Sequence, residues 1–90
     1  MARKERVSKV IDGDTFKTKS RKNSVRIARV YAPDKGQPGF VKAKIQLSKL
    51  IQGEKVRIDT VARDKYRRAI ANVYKGQKSV NKEMQRRLKK

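Results

Sequence analysis

The sequence predicts a mainly β domain with two helices, a five-stranded Greek-key barrel of the OB type in the order βββαββα. Three observations carry that prediction. Five short stretches are rich in Val, Ile, Thr and Tyr and alternate in hydrophobicity, as half-buried strands do. A helical apolar stripe lies between the third and the fourth of them, and a second one ends the chain. Small barrels with this element order commonly bind oligonucleotides, although fold alone does not establish function.

In chain order, residues 5–11 (ERVSKVI) read as the first strand, with Val7 and, less cleanly, Val10 facing one side. Asp12-Gly13 is a hairpin signal, because glycine supplies the positive φ that such a turn requires. Residues 15–19 (TFKTK) return as the second strand, and 20–24 (SRKNS) form a polar loop. Residues 25–30 (VRIARV) are the third strand, with Val25 and Ile27 on one side and Arg26 and Ala28 on the other.

Residues 31–39 (YAPDKGQPG) hold both prolines and two of the five glycines, so they form a loop, long for so small a domain. From Phe40 the period changes: Phe40, Ala43, Leu47, Leu50 and Ile51 share a helical stripe that ends at Gly53, while Val41 and Ile45 lie off it. Residues 54–60 alternate again, with Val56 and Ile58 inward, and 61–68 (VARDKYRR) read as a charged loop. Residues 69–74 (AIANVY) are the fifth strand and KGQK is the turn after it. Ser79 caps a last helix that carries Val80, Met84 and Leu88 on one face. The expectation is one domain over residues 1–90, with 1–4 and 89–90 frayed.

Composition narrows the chemistry. The 90 residues hold 27 Lys+Arg against 8 Asp+Glu, a formal charge of +19, with no Cys and no His. Disulfides, thiolate metal sites and histidine acid–base catalysis are excluded. Such an excess of one sign opposes folding, and a polyanion relieves it. Nucleic acid is the expected partner. No apolar run approaches the ~20 residues of a membrane span, no membrane association is expected, and the chain reads as a monomer. No secretory signal is visible, which makes an intracellular location the expectation, with secretion of a processed form left open. Lys17, Lys19, Arg21, Lys22, Arg26 and Arg29 occur without an acid among residues 15–33, the pattern of a phosphate-binding face.

Against that background KVIDGDTFK (residues 9–17) is odd: Asp12 and Asp14 flank one glycine. Taken alone they make a hairpin turn whose carboxylates offset a basic surface, or they hold something positively charged.

Together with VRIARVYAPD, GQPGF, DKYRRAIANVY and KSVNKEM, in this order and spacing, VIDGDTF resembles the staphylococcal nuclease (thermonuclease) family over roughly residues 5–88. The resemblance implies an OB-fold phosphodiesterase that uses Ca²⁺, a carboxylate base and two arginines on DNA or RNA. By that resemblance Asp14 is a calcium ligand and Asp12 an acid behind it. Arg26 and Arg68 are the catalytic arginines, and Lys65 and Tyr66 lie near the nucleotide. The chemistry is sound: phosphodiester cleavage needs an activated water, a Lewis acid and fixed positive charge, and arginine pairs two phosphate oxygens.

Several departures stand out. Tyr31 occupies the position of a second calcium-ligating Asp, and a phenol is a poor calcium ligand; an exposed tyrosine can instead stack on a base. Asp34 stands where the general-base Glu is expected, one methylene short. Arg67 replaces the glycine usual before the second arginine, and Lys42 and Lys44 bracket Ala43 where many members have a Glu. The chain ends at Lys90, where the family continues into a C-terminal segment.

The expected function is therefore a nucleic-acid-binding domain that contacts the phosphate backbone with low sequence specificity. Arg29, Tyr31, Lys65, Tyr66 and Arg67 join the basic residues of 17–22 in that contact. Phosphodiesterase activity is weak or lost, and Ca²⁺ is bound weakly or not at all. The alternative is an active Ca²⁺-dependent endonuclease of DNA or RNA. A protein-interaction role of the Tudor-fused type lacks an aromatic cage among five aromatics.

Overall fold

A computed structural model describes residues 4–88. It contains β1 (Lys4–Asp12), β2 (Thr15–Thr18), β3 (Val25–Ile27), α1 (Phe40–Ile51), β4 (Lys55–Arg63), β5 (Ala69–Lys75), β6 (Lys78–Ser79) and α2 (Val80–Leu88). The sheet order is β3-β2-β1-β4-β5-β6, and β3 also pairs with β5, so five strands close into a ring. The β3–β5 seam is parallel and the other pairings are antiparallel. This is the expected mainly β, OB-like architecture with two helices.

The first strand serves two neighbours. Its N-terminal part, Lys4–Arg6, pairs with β4, while Val7–Asp12 pairs with β2. Two register shifts, at Val7/Lys9 and Val10/Asp12, bend it between them. The first shift explains why Val7 and Val10, three residues apart, are both buried. Around Phe16 the ring is filled by Val25, Ile27, Val56, Ile58, Ala71 and Val73, all at most 3% exposed. From α1, Ala43, Leu47, Leu50 and Ile51 cover this core, and Val80 and Met84 of α2 close it. Val41 and Ile45 are exposed, as their place off the stripe implies. No helix among the described residues is long and apolar enough to cross a membrane.

Some boundaries differ from expectation. β3 stops at Ile27 instead of Val30, because the backbone turns at Arg29, whose φ is +60°. Strand β4 continues to Arg63 through a bulge at Thr60/Ala62, taking three residues from the expected charged loop. The KGQK turn is a hairpin that adds the two-residue β6. Lys4 belongs to β1 and is not frayed, while residues 1–3 and 89–90 lie outside the described residues. Ser79 does cap α2, its hydroxyl accepting from the Lys82 N–H at 3.2 Å.

Asn81 was not anticipated as a structural residue. It is buried, its Oδ1 accepts from the Val73 N–H at 2.7 Å, and its Nδ2 donates to the Ala28 carbonyl at 2.9 Å. It thereby ties α2 to β5 and to the residue that follows β3, across the parallel seam.

Candidate nucleic-acid interface

The β1–β2 turn carries the acids. Asp12 Oδ1 accepts from the Asp14 N–H at 3.0 Å, an Asx turn that sets the hairpin. Gly13 does not adopt the positive φ expected of it. Its role is steric: a Cβ there would lie 2.7 Å from the Cβ atoms of Ala32 and Ala43. Only a glycine lets the turn press against α1 and the loop after β3.

That close approach buries Asp14. Its Oδ1 accepts from the Thr15 hydroxyl at 2.9 Å and its Oδ2 from the Ala32 N–H at 3.2 Å. Thr15 pairs with Arg26 across β2 and β3, which brings Nη2 of Arg26 to 3.8 Å from Asp14 Oδ2. Burial, reinforced by neighbouring Asp12, pushes the Asp14 carboxyl up to about 6 against the Ala32 and Thr15 hydrogen bonds. On its other side, Arg26 faces Tyr31, with 5.7 Å between the guanidinium carbon and the ring centroid.

A second group forms between β4 and β5. Asp64 Oδ1 accepts from the N–H groups of Tyr66 (2.9 Å) and Arg68 (3.0 Å), and Oδ2 takes Nε of Arg68 at 2.6 Å. Slight desolvation is outweighed by the Arg68 backbone and side-chain bonds and the Tyr66 N–H, which leave Asp64 below the usual carboxylate range. Tyr66 is flanked by Lys65 Nζ at 5.2 Å and the Arg68 guanidinium at 5.7 Å. Arg67 adopts φ +64°, so the loop keeps the left-handed turn that glycine would favour and holds it with an arginine. Because Val25 and Arg26 pair with Ala69 and Ile70, Arg68 enters the sheet beside the strand that carries Arg26.

Asp64 was missed from sequence, although an Asp two residues before Tyr66 and four before Arg68 is an Asx-turn signal. The other candidates scatter. Asp34 is exposed in the 31–39 loop; its N–H donates to Gln37 Oε1, and no ion pair among the described residues reaches it. Arg21 is occupied by Glu5 through Nε and Nη2. Lys17 lines a cleft with Asp12, Lys9 and Lys44, Lys22 lines another with Arg63, and Lys19 is exposed. Arg29 turns toward α2, where Gln85 Nε2 donates to its carbonyl.

The residues present do not fit a resident calcium ion. Calcium takes six to eight oxygens. Among the described residues no three Asp, Glu, His or Cys side chains gather to hold a metal. Asp12 and Asp14 are together, Tyr31 brings a phenol, and Asp34 lies in the loop with Gln37.

An OB-like ring with a buried acid–arginine contact and exposed tyrosines among cations defines a nuclease-type domain. The comparisons agree. A family model described as staphylococcal nuclease homologue matches residues 11–87, and the chain belongs to that family. It is 40% identical over 82 residues to an uncharacterized endonuclease of Haemophilus influenzae, an alignment covering 88% of this chain and 46% of the relative. The chain thus spans about half the length of the curated relative it matches.

Proposed function

We propose that this domain binds nucleic acid through the phosphate backbone, with little sequence preference and with weak or no phosphodiesterase activity. One observation carries the reading: of two exposed tyrosines, Tyr31 (77%) is faced by one cation and Tyr66 (65%) by two, all within 6 Å. A ring offers a base its face while the adjoining guanidinium or ammonium meets the phosphate. Beside Tyr31 opens a cleft of about 680 Å³ lined by Pro33, Pro38, Lys42 and Arg87, in the size range of a small-ligand site.

Weak cleavage follows from the acids. Asp14 is already engaged by Thr15 and Ala32, and Asp34 has no partner among the described acids and arginines of the site. A second reading, an active metal-dependent endonuclease, is favoured by the Arg26–Asp14 contact and by the relative's being named an endonuclease.

The test is a binding titration over a salt series with single- and double-stranded DNA and RNA, alongside digestion of each with Ca²⁺ or EDTA. We expect affinity to fall steeply with salt and to vary little with sequence, with slow or undetectable cleavage. Salt-independent affinity would sink the backbone reading. Rapid cleavage abolished by EDTA would establish the second reading instead.

A further inference from the structure

We propose that Arg29, Lys82 and Arg86 form a second phosphate subsite, taking a backbone phosphate of the same strand that Arg26 and Tyr31 engage. This rests on the nucleic-acid reading above and adds a separate point of attachment. The three side chains and Gln85 line a cleft of about 470 Å³ between the end of β3 and the outer face of α2.

Two of these cations sit where folding alone disfavours them. Arg29 adopts φ +60°, a conformation that costs any residue with a Cβ and suits glycine. Gln85 Nε2 holds its carbonyl at 3.0 Å, so the turn is fixed and the exposed side chain is presented. Lys82 lies in the first turn of α2, where the helix dipole opposes a cation. Neither forms an ion pair among the described residues. The acid of this helix, Glu83, is shared by Arg86 and Arg87, and the Arg86 side chain remains 72% exposed. A phosphate diester is the ligand that such a cluster lacks: it neutralises cations and accepts from guanidinium and amide N–H groups.

Position identifies the source of that phosphate. Arg29 and Tyr31 are two residues apart, so their Cα atoms are separated by at most about 7 Å. A strand stacked on Tyr31 reaches this cleft without leaving the surface.

The experiment compares a short probe, fluorescein-labelled thymidine monophosphate, with a labelled oligothymidylate about 12 nucleotides long, bound by wild type and by Arg29→Asn/Lys82→Gln, over a salt series. Asn tolerates the left-handed turn. We expect the double variant to bind the longer probe about tenfold more weakly, with a log–log salt slope shallower by about 0.7, for the one phosphate lost. Its affinity for the short probe should be unchanged, whereas Arg26→Ala weakens both. Lys49→Gln/Lys55→Gln, the same charge change at two exposed lysines away from the cleft, should leave both affinities in place. Lys82→Gln alone should show the same length-dependent loss to a smaller degree, should the double variant not fold. No loss on the longer probe, equal loss on both lengths, or a matching loss in the control overturns the subsite. Inorganic phosphate should compete at the cleft only in large excess over the longer probe, and erasure of the length dependence by phosphate at the probe's own concentration overturns the strand source and makes it a free-anion site. Wild-type protein that binds neither probe overturns the nucleic-acid reading itself.

Discussion

Nη2 of Arg26 lies 3.8 Å from Oδ2 of Asp14, near enough to feel the charge and too far for a hydrogen bond. The arginine does not neutralise the acid: burial and Asp12 prevail, and the Asp14 carboxyl stays up at about 6. At neutral pH the carboxyl is mostly ionised, yet at 3.8 Å it takes no hydrogen bond from Arg26, whose donors stay free of that acid.

The sign of the resulting pH dependence follows from linkage. A carboxyl raised from 3.8 to about 6 binds a proton in the folded state that the unfolded chain has released. Its stabilising contribution is complete below pH 3.8 and is lost as pH rises through about 6. Asp14→Asn should remove this dependence and raise stability at pH 7.5 by up to about 3 kcal/mol, about two units at 1.36 kcal/mol each. Urea unfolding of both proteins between pH 3.5 and pH 7.5, spanning both values, is the check. Glu5 acts in the opposite sense in a lower window: burial is outweighed by Arg21, Ser20 and Thr18, and its lowered carboxyl withdraws support only as pH falls below 4.5.

Tyr31→Asp should bring a third carboxylate toward Asp12 and Asp14. Calcium affinity, read by isothermal titration calorimetry, is expected to rise about tenfold or more, and cleavage of single-stranded DNA to rise with it. The same change removes an exposed ring, so binding in EDTA should weaken severalfold. Unchanged calcium affinity would show that Tyr31 is not what the metal site lacks.

Asp64→Ala should release the Tyr66 and Arg68 amides and the Arg68 guanidinium together. Faster hydrogen exchange at those two amides is expected, with a severalfold loss of affinity although the protein's net charge becomes more positive. Tighter binding, the outcome of charge alone, would refute the positioning role.

Gly13→Ala tests the packing beneath the acidic turn. With Cβ contacts of 2.7 Å to Ala32 and Ala43, the variant should lose about 2 kcal/mol in urea unfolding. A loss near zero would mean that the turn moves away without strain.

The ring of strands was legible because its signals are local: alternation at Val56 and Ile58, a helical stripe ending at Gly53, a capping Ser79. Asp14 stood out because two acids two residues apart are unusual in so basic a chain, Arg26 because it alternates with Val25 and Ile27, and strand pairing brings them together. What stayed hidden depends on contacts distant in sequence or on backbone angles. Asn81 matters because Ala28, 53 residues away, offers it a carbonyl. Gly13 reads as a turn glycine, and only the approach of α1 reveals a spacing constraint. Arg29 looked like a strand residue, and its left-handed angle moves it to another face. Asp34 stands at the end of the VRIARVYAPD motif, but no ion pair among the described residues reaches it and Gln37 engages its backbone N–H, which no charge pattern announces.

The contact of Gly13 with Ala32 and Ala43 also bears on how this surface can change over evolutionary time. Two of the three positions already carry the smallest side chain with a Cβ, and the third has none. No growth at one can be offset by shrinkage at another without placing a further glycine in helix or loop, which weakens either. The depth of the carboxylate is thus locked by atoms that take no part in chemistry. Tyr31 and Asp34, exposed and free of that lock, can be exchanged while the scaffold stands still.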